Sequence, residues 1–185
     1  MYRYFSIILF PQKTIKRYNM SMIKPFIISA LTTDGFIAKD TNHAAYWTSK
    51  EDKARFVEIT KRAGVVVMGQ TTFKTLKNPL PGRLNIVYSL NETFDGAETT
   101  TDEPAILFKK LEERGFKEVA ICGGQSIYTM FMKSGLIEKL YLTVEPIVFG
   151  KGLTIFNQDI DFKLELVSEE KTPSGTLLLE YKVLK

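Results

Sequence analysis

The chain has 185 residues, 44% of them hydrophobic, which suits one globular domain with a sizeable core. Its net charge of +4 comes from the first twenty residues, where Arg3, Lys13, Lys16 and Arg17 stand without an acid; the remainder balances 21 basic against 21 acidic side chains and offers no footprint for nucleic acid. A lone Cys122 excludes an internal disulfide and fits a reducing, cytoplasmic setting, no His/Cys cluster has metal-ligand spacing, and no apolar run is long enough to span a membrane.

Residues 1–21 read as an extension ahead of a domain at 22–185. Tyr4 to Phe10 is apolar, but the basic residues mostly follow it, the reverse of a signal peptide, and Pro11 comes at once. Met20 or Met22 can serve as the effective start; a membrane-touching arm is the alternative. From Lys24 the pattern alternates. Phe26 to Leu31 is a strand candidate, Ser49 to Ala63 a helix, and Val65 to Met68 a strand apolar enough to be buried on both faces. Gln70 to Leu76 is a short helix and Leu84 to Tyr88 another strand. Pro104 to Arg114 is a helix that starts with proline in its favoured first turn and ends at Gly115. Strand 118–122, helix 125–134 and strand 139–144 follow. Segments 162–168 and 176–183 flank Pro173-Ser174-Gly175 as an antiparallel hairpin. The expected fold is α/β: one domain with a mostly parallel central sheet, flanking helices and a C-terminal antiparallel hairpin.

Two junctions point to a ligand. Gly123-Gly124 stands between strand 118–122 and helix 125–134. Two glycines let the backbone turn sharply and be approached closely, and the amides of a helix start attract phosphate. Gly69 stands likewise between strand 65–68 and the helix opened by Thr71 and Thr72, whose hydroxyls can cap it. One extended ligand across adjacent strand ends fits both; simple turns and caps fit each alone.

Asp52 is the candidate for chemistry. Asp52, Phe56, Ile59 and Ala63 fall on one helical stripe whose other members are apolar. Ser49 to Asp52 has capping-box spacing, which would make Asp52 a helix-end residue. Thr48 to Glu51 has the same spacing and a better box residue; if that box forms, Asp52 is free to enter a pocket. A partly buried carboxylate can bind an amidine-like ligand edge and help move a proton.

From Phe26 to the C-terminus the chain resembles dihydrofolate reductase, in its dimeric, thermophile-like branch that borders the reductase domain of riboflavin biosynthesis. The matching segments are Asp34 to Ala38, Trp47 to Asp52, Val66 to Gly69, Pro79 to Val87, Cys122 to Tyr128 and Leu140 to Gly152, in the family's order and spacing. The resemblance implies that Asp52 holds the pterin's amino-pyrimidine edge and promotes protonation at N5, and that Thr143 orients it. It implies substrate contacts from Ile28, Ala30, Phe56, Leu76 and Leu80, and from Arg83 to the glutamate tail of folate. For the cofactor, NADPH, it implies Gly69, Gln70, Thr71 and Thr72 at one helix start, and Cys122, Gly123, Gly124, Gln125 and Ser126 at the pyrophosphate. Tyr128, Ile37 and Ala38 would lie near the nicotinamide, and Ser89 on the adenosine side. Gln70 replaces the family's arginine at the 2′-phosphate, so NADH is also admitted unless Lys74 or another cation compensates.

The implied activity is NADPH-dependent reduction of dihydrofolate to tetrahydrofolate, without a metal. The alternatives are a pyrimidine reductase of riboflavin biosynthesis and a non-catalytic nucleotide-binding relative. The expected partners are the small-molecule substrate and, through the apolar segment 144–152, a second copy of the chain; neither nucleic acid nor membrane is expected.

Overall fold

A computed structural model describes residues 23–185; the expected extension and both candidate starts lie outside them. In chain order the elements are β1 (Lys24–Thr32), β2 (Phe36–Ala38), a 3-10 turn (Ala45–Trp47), α1 (Lys50–Ala63), β3 (Val65–Gly69), α2 (Gln70–Lys74), β4 (Leu84–Tyr88), β5 (Glu98–Thr100) and α3 (Pro104–Glu113). They continue with β6 (Glu118–Ile121), α4 (Gln125–Lys133), β7 (Lys139–Glu145), β8 (Leu153–Thr154), β9 (Leu164–Lys171) and β10 (Leu177–Val183).

Eight strands form one sheet in the order β5-β4-β3-β6-β1-β7-β10-β9, parallel from β5 to β7 and antiparallel in the C-terminal hairpin. The alternation read from the sequence produces this sheet because each helix returns the chain to start the next parallel strand. The chain leaves β1 through α1, runs outward over β3, β4 and β5, and returns through α3 to insert β6 between β3 and β1. The carboxyl ends of β1, β3 and β6 are thereby neighbours, the place where open parallel sheets bind ligands.

Both faces of the sheet are covered. Phe26, Ile28, Val66 and Met68 pack with Ile59 and Ala63 of α1 and Phe73 of α2. Their alternate neighbours Ile27, Val65 and Val67 pack with Leu107, Phe108 and Leu111 of α3 and Phe131 and Met132 of α4. Val65, Val66 and Val67 are fully buried, as a strand covered on both sides must be. Each such side chain contributes roughly 1.5–3 kcal/mol of transfer free energy.

Local structure departs from the sequence reading at three places. The Thr48–Glu51 box does not form: Ser49 is the N-cap of α1, and its hydroxyl accepts the Asp52 backbone N–H at 3.1 Å. A full box would have the Asp52 side chain accept the Ser49 N–H in return. Here Glu145 of β7 accepts it at 2.7 Å, so half of the box is built from a distant strand. The helix read to Leu76 ends at Lys74, where a turn with Thr75 and Leu76 amides donating to Thr72 and Phe73 carbonyls replaces it. Strands β5, β2 and β8 carry no apolar alternation and exist through their pairing: β5 joins the sheet beside β4, and β2 pairs with β8 alone.

Candidate active site

A cavity of about 680 Å³ opens over the carboxyl ends of β1, β3 and β6. That volume suits a small-molecule site. Its wall includes Ile28 and Ala30 of β1, Ile37 and Ala38 of β2, Asp52 and Phe56 of α1, and Leu76 and Leu80 beyond α2. Across from these stand Gly69, Gln70, Thr71 and Thr72, and then Cys122, Gly123, Gly124, Gln125, Ser126 and Tyr128. Eighteen-odd residues scattered over a hundred positions meet here because strand ends and helix starts converge on one edge of the sheet.

Asp52 sits in the first turn of α1 and faces this largely apolar wall. Burial raises its carboxyl above the ordinary aspartate value; the nearby hydroxyls of Thr143 and Thr48 pull the other way, the negative charge of Glu145 adds to the rise and Arg55 opposes it. A carboxyl that keeps its proton closer to neutral pH is suited to proton transfer. Thr143 is buried on β7 and acts on Asp52 from outside the cavity wall. Arg55 is fixed by donating to the carbonyls of Leu142 at 3.0 Å and Leu179 at 2.8 Å, which pins α1 to β7 and β10.

The two glycine junctions lie side by side. The Gly69 N–H donates to the Gly123 carbonyl at 2.8 Å, and the Gly123–Gly124 peptide is cis. A Cβ on Gly124 would come within 3.0 Å of the Thr72 Oγ1, and Gly123 has φ +113°, a conformation that a side chain would strain. The starts of α2 and α4 therefore present bare backbone to the cavity. Tyr128 donates its hydroxyl to the Ile28 carbonyl at 2.7 Å, which props the wall, and burial raises its ionisation well beyond the physiological range. Burial likewise pushes the Cys122 thiol up to about 12, which leaves it an inert small wall residue.

Two expected contacts lie off the wall. Ser89 follows β4 with its hydroxyl accepting the Glu92 N–H at 3.0 Å. Arg83 is half-buried at the start of β4, donating to the Thr60 hydroxyl at 2.7 Å and the Pro81 carbonyl at 3.1 Å, and it forms no ion pair among the described residues. Lys74, named above as a compensating cation, is held by Glu92 at 2.7 Å and lies over the Phe94 ring. Gln70 itself lines the cavity.

Sequence reasoning missed the part played by Thr48, Trp47 and Glu145. Thr48 lines the cavity beside Asp52. Trp47 packs edge-on against Phe149 at 5.1 Å between ring centroids, and its buried indole N–H has no hydrogen-bond partner among the described residues. A donor on a cavity wall without a partner suits a water or ligand acceptor. The position of Trp47, five residues before Asp52, was the available signal; Glu145 had none, because its partner is 96 residues away.

A family model for dihydrofolate reductase matches residues 24–176. The dihydrofolate reductase of Lactococcus lactis is 31% identical over 132 residues, covering 67% of this chain and 74% of its own. The uncharacterised protein YyaP of Bacillus subtilis is 23% identical over 185 residues, covering 88% of this chain and 96% of its own. Among solved structures, the diaminohydroxyphosphoribosylaminopyrimidine deaminase/5-amino-6-(5-phosphoribosylamino)uracil reductase of Thermotoga maritima superposes with a TM-score of 0.70 at 17% identity, over 88% of this chain and 57% of that one.

Proposed function

Because the chain belongs to the dihydrofolate reductase family, we propose that it reduces 7,8-dihydrofolate to 5,6,7,8-tetrahydrofolate with NADPH. The observation that carries this reading is Asp52: a carboxyl turned into a largely apolar cavity, its proton affinity raised by burial, with Thr143 and Thr48 hydroxyls near it. In this reading Asp52 binds the amino-pyrimidine edge of the pterin and raises the availability of a proton at N5. Phe56, Leu76 and Leu80 enclose the ring and the benzoyl group, and Ile28 and Ala30 form the floor. Arg83, off the cavity wall and in no ion pair among the described residues, would take the glutamate tail beyond the cavity rim.

The walls fit a nicotinamide dinucleotide. Gly123 and Gly124 leave a cradle that a Cβ would narrow, and the first turn of α4 faces it. Gly69 to Thr72 and Cys122 to Ser126 would hold the cofactor, with Ile37, Ala38 and Tyr128 near its nicotinamide. When bound, the cofactor supplies hydride to C6 of the pterin. Gln70 offers no charge for a 2′-phosphate, so NADH is admitted beside NADPH.

The fold shared with the Thermotoga enzyme supports a second reading, reduction of a ribosylaminopyrimidine phosphate. Purified protein mixed with NADPH and either dihydrofolate or that pyrimidine, followed at the nicotinamide absorbance, separates them. Oxidation of NADPH only with dihydrofolate is expected. Asp52→Asn is expected to lower turnover about 10²–10⁴-fold, the usual share of an acid–base group, with NADPH affinity nearly unchanged. Wild-type turnover in that variant would remove Asp52 from the chemistry.

A further inference from the structure

Ser49-x-x-Asp52 has the spacing of a capping box, yet only half of the box is made by those two residues. The Ser49 hydroxyl accepts the Asp52 N–H at 3.1 Å, but the Ser49 N–H goes to Glu145 Oε1 at 2.7 Å. Glu145 is 2% exposed, and its other oxygen accepts the Thr176 hydroxyl at 2.7 Å. Thr143 and Glu145 alternate onto the same face of β7, so one strand supplies both the hydroxyl beside the Asp52 carboxyl and the carboxylate that takes its place at the cap. A buried carboxylate costs stability unless it is well hydrogen-bonded, and Glu145 forms no ion pair with Lys or Arg among the described residues.

We propose that Glu145 is a positioning residue that releases Asp52 into the cavity by occupying the Ser49 N–H which Asp52 would otherwise accept. Without it, the local preference of the helix start would draw the Asp52 carboxylate back onto its own cap. The charge of Glu145 acts in the same sense, because it faces Asp52 and, after burial, adds to the proton affinity there. The other charged or titratable groups facing Asp52 are Arg55, tied to the carbonyls of Leu142 and Leu179, and Tyr128 from α4. Lys53, next in sequence, donates to the Thr48 carbonyl at 2.8 Å.

This inference rests on the reading of Asp52 as the working carboxyl, but its test does not need substrate. In wild-type protein, the Ser49 amide resonance should not follow the titration of the Asp52 side-chain carboxyl, both observed by heteronuclear NMR. In Glu145→Ala the Ser49 amide should instead titrate with Asp52, and Asp52→Asn in that background should abolish the titration. Turnover should fall several-fold in Glu145→Ala with KM little changed. Glu145→Gln, which still offers an oxygen to the Ser49 N–H, should restore most of it. A Ser49 amide that follows Asp52 in the wild type, or ignores it in Glu145→Ala, overturns the proposal. Should Glu145→Ala not fold, Glu145→Met, which fills a similar volume without an oxygen acceptor, takes its place with the same expected outcome. Absence of dihydrofolate reduction with the expected NMR titrations would count against the proposed activity and not against this role of Glu145.

Discussion

At the scale of single residues, the cavity that Asp52 faces makes its carboxyl a burden on the fold. Its carboxyl binds a proton more tightly when folded than when unfolded, because burial disfavours the charge. A raised carboxyl destabilises the folded state above its folded pKa, and this penalty fades as pH falls towards the unfolded value. Asp52→Asn should therefore melt at a higher temperature than the wild type at neutral and alkaline pH, with the gap closing in acid; calorimetry across pH reads this directly, and a variant less stable at neutral pH would contradict it. Gln70 invites a second substitution. It lines the cavity at the start of α2, and Lys74, one helical turn on, is occupied by Glu92. Gln70→Arg should raise affinity for NADPH relative to NADH about ten- to a hundredfold, the effect of a charge-assisted pair of roughly 1.5–3 kcal/mol. Dissociation constants for both cofactors test it; an unchanged ratio would mean that position 70 does not meet the 2′-phosphate.

At the scale of elements, the small β2–β8 ladder holds one rim of the cavity. Ile37 and Ala38 reach the wall only because β2 is backed by β8 and the turn ahead of it. Gly152 lies where a Cβ would come 2.2 Å from the Ala38 carbonyl oxygen, a backbone atom that cannot rotate away. Gly152→Ala should cost roughly 1–3 kcal/mol in chemical denaturation, the range for overpacked sites, and weaken cofactor binding as the rim shifts. A neutral effect on both would show that the ladder is slack. The preceding turn is also tied to this rim: Asp34 accepts the backbone N–H groups of Phe149 at 3.2 Å and Gly150 at 2.7 Å, and Lys39 lies over the Phe149 ring.

At the scale of the whole molecule, exposed apolar surface extends beyond the segment 144–152. The segment 144–152 was expected to be apolar in excess of its own needs. Much of that excess is used within the chain, with Phe149 packed against Trp47 and His43, while Val148 is 70% exposed. The hairpin adds to it: Leu164, Leu166, Val167 and Leu177 are between 38 and 52% exposed, and β9 is an edge strand. Edges of this kind favour pairing with another chain. We expect a homodimer that uses this hairpin together with Val148. Light scattering at micromolar concentration should give twice the chain mass, and Leu166→Lys with Val167→Lys should return the monomer; a monomeric wild type would dispose of the idea.

By itself the sequence determined what depends on neighbours along the chain. The apolar run of β3, the stripe of α1, proline at the head of α3 and the glycines before α4 are local signals, and each element formed close to where it was read. The family motifs carried the cavity wall for the same reason, since short runs around strand ends keep their residues together. The tertiary structure alone decided what depends on partners far away in sequence. Strand β5, three polar residues long, exists because β4 offers it hydrogen bonds. Arg83 turns to Thr60 because β4 starts beside α1. Whether Asp52 closed its own capping box or faced the cavity was open in the sequence, because both outcomes satisfy the first turn of a helix. It was settled when the sheet brought Glu145 to the Ser49 N–H, for a backbone donor accepted by one buried carboxylate no longer needs another.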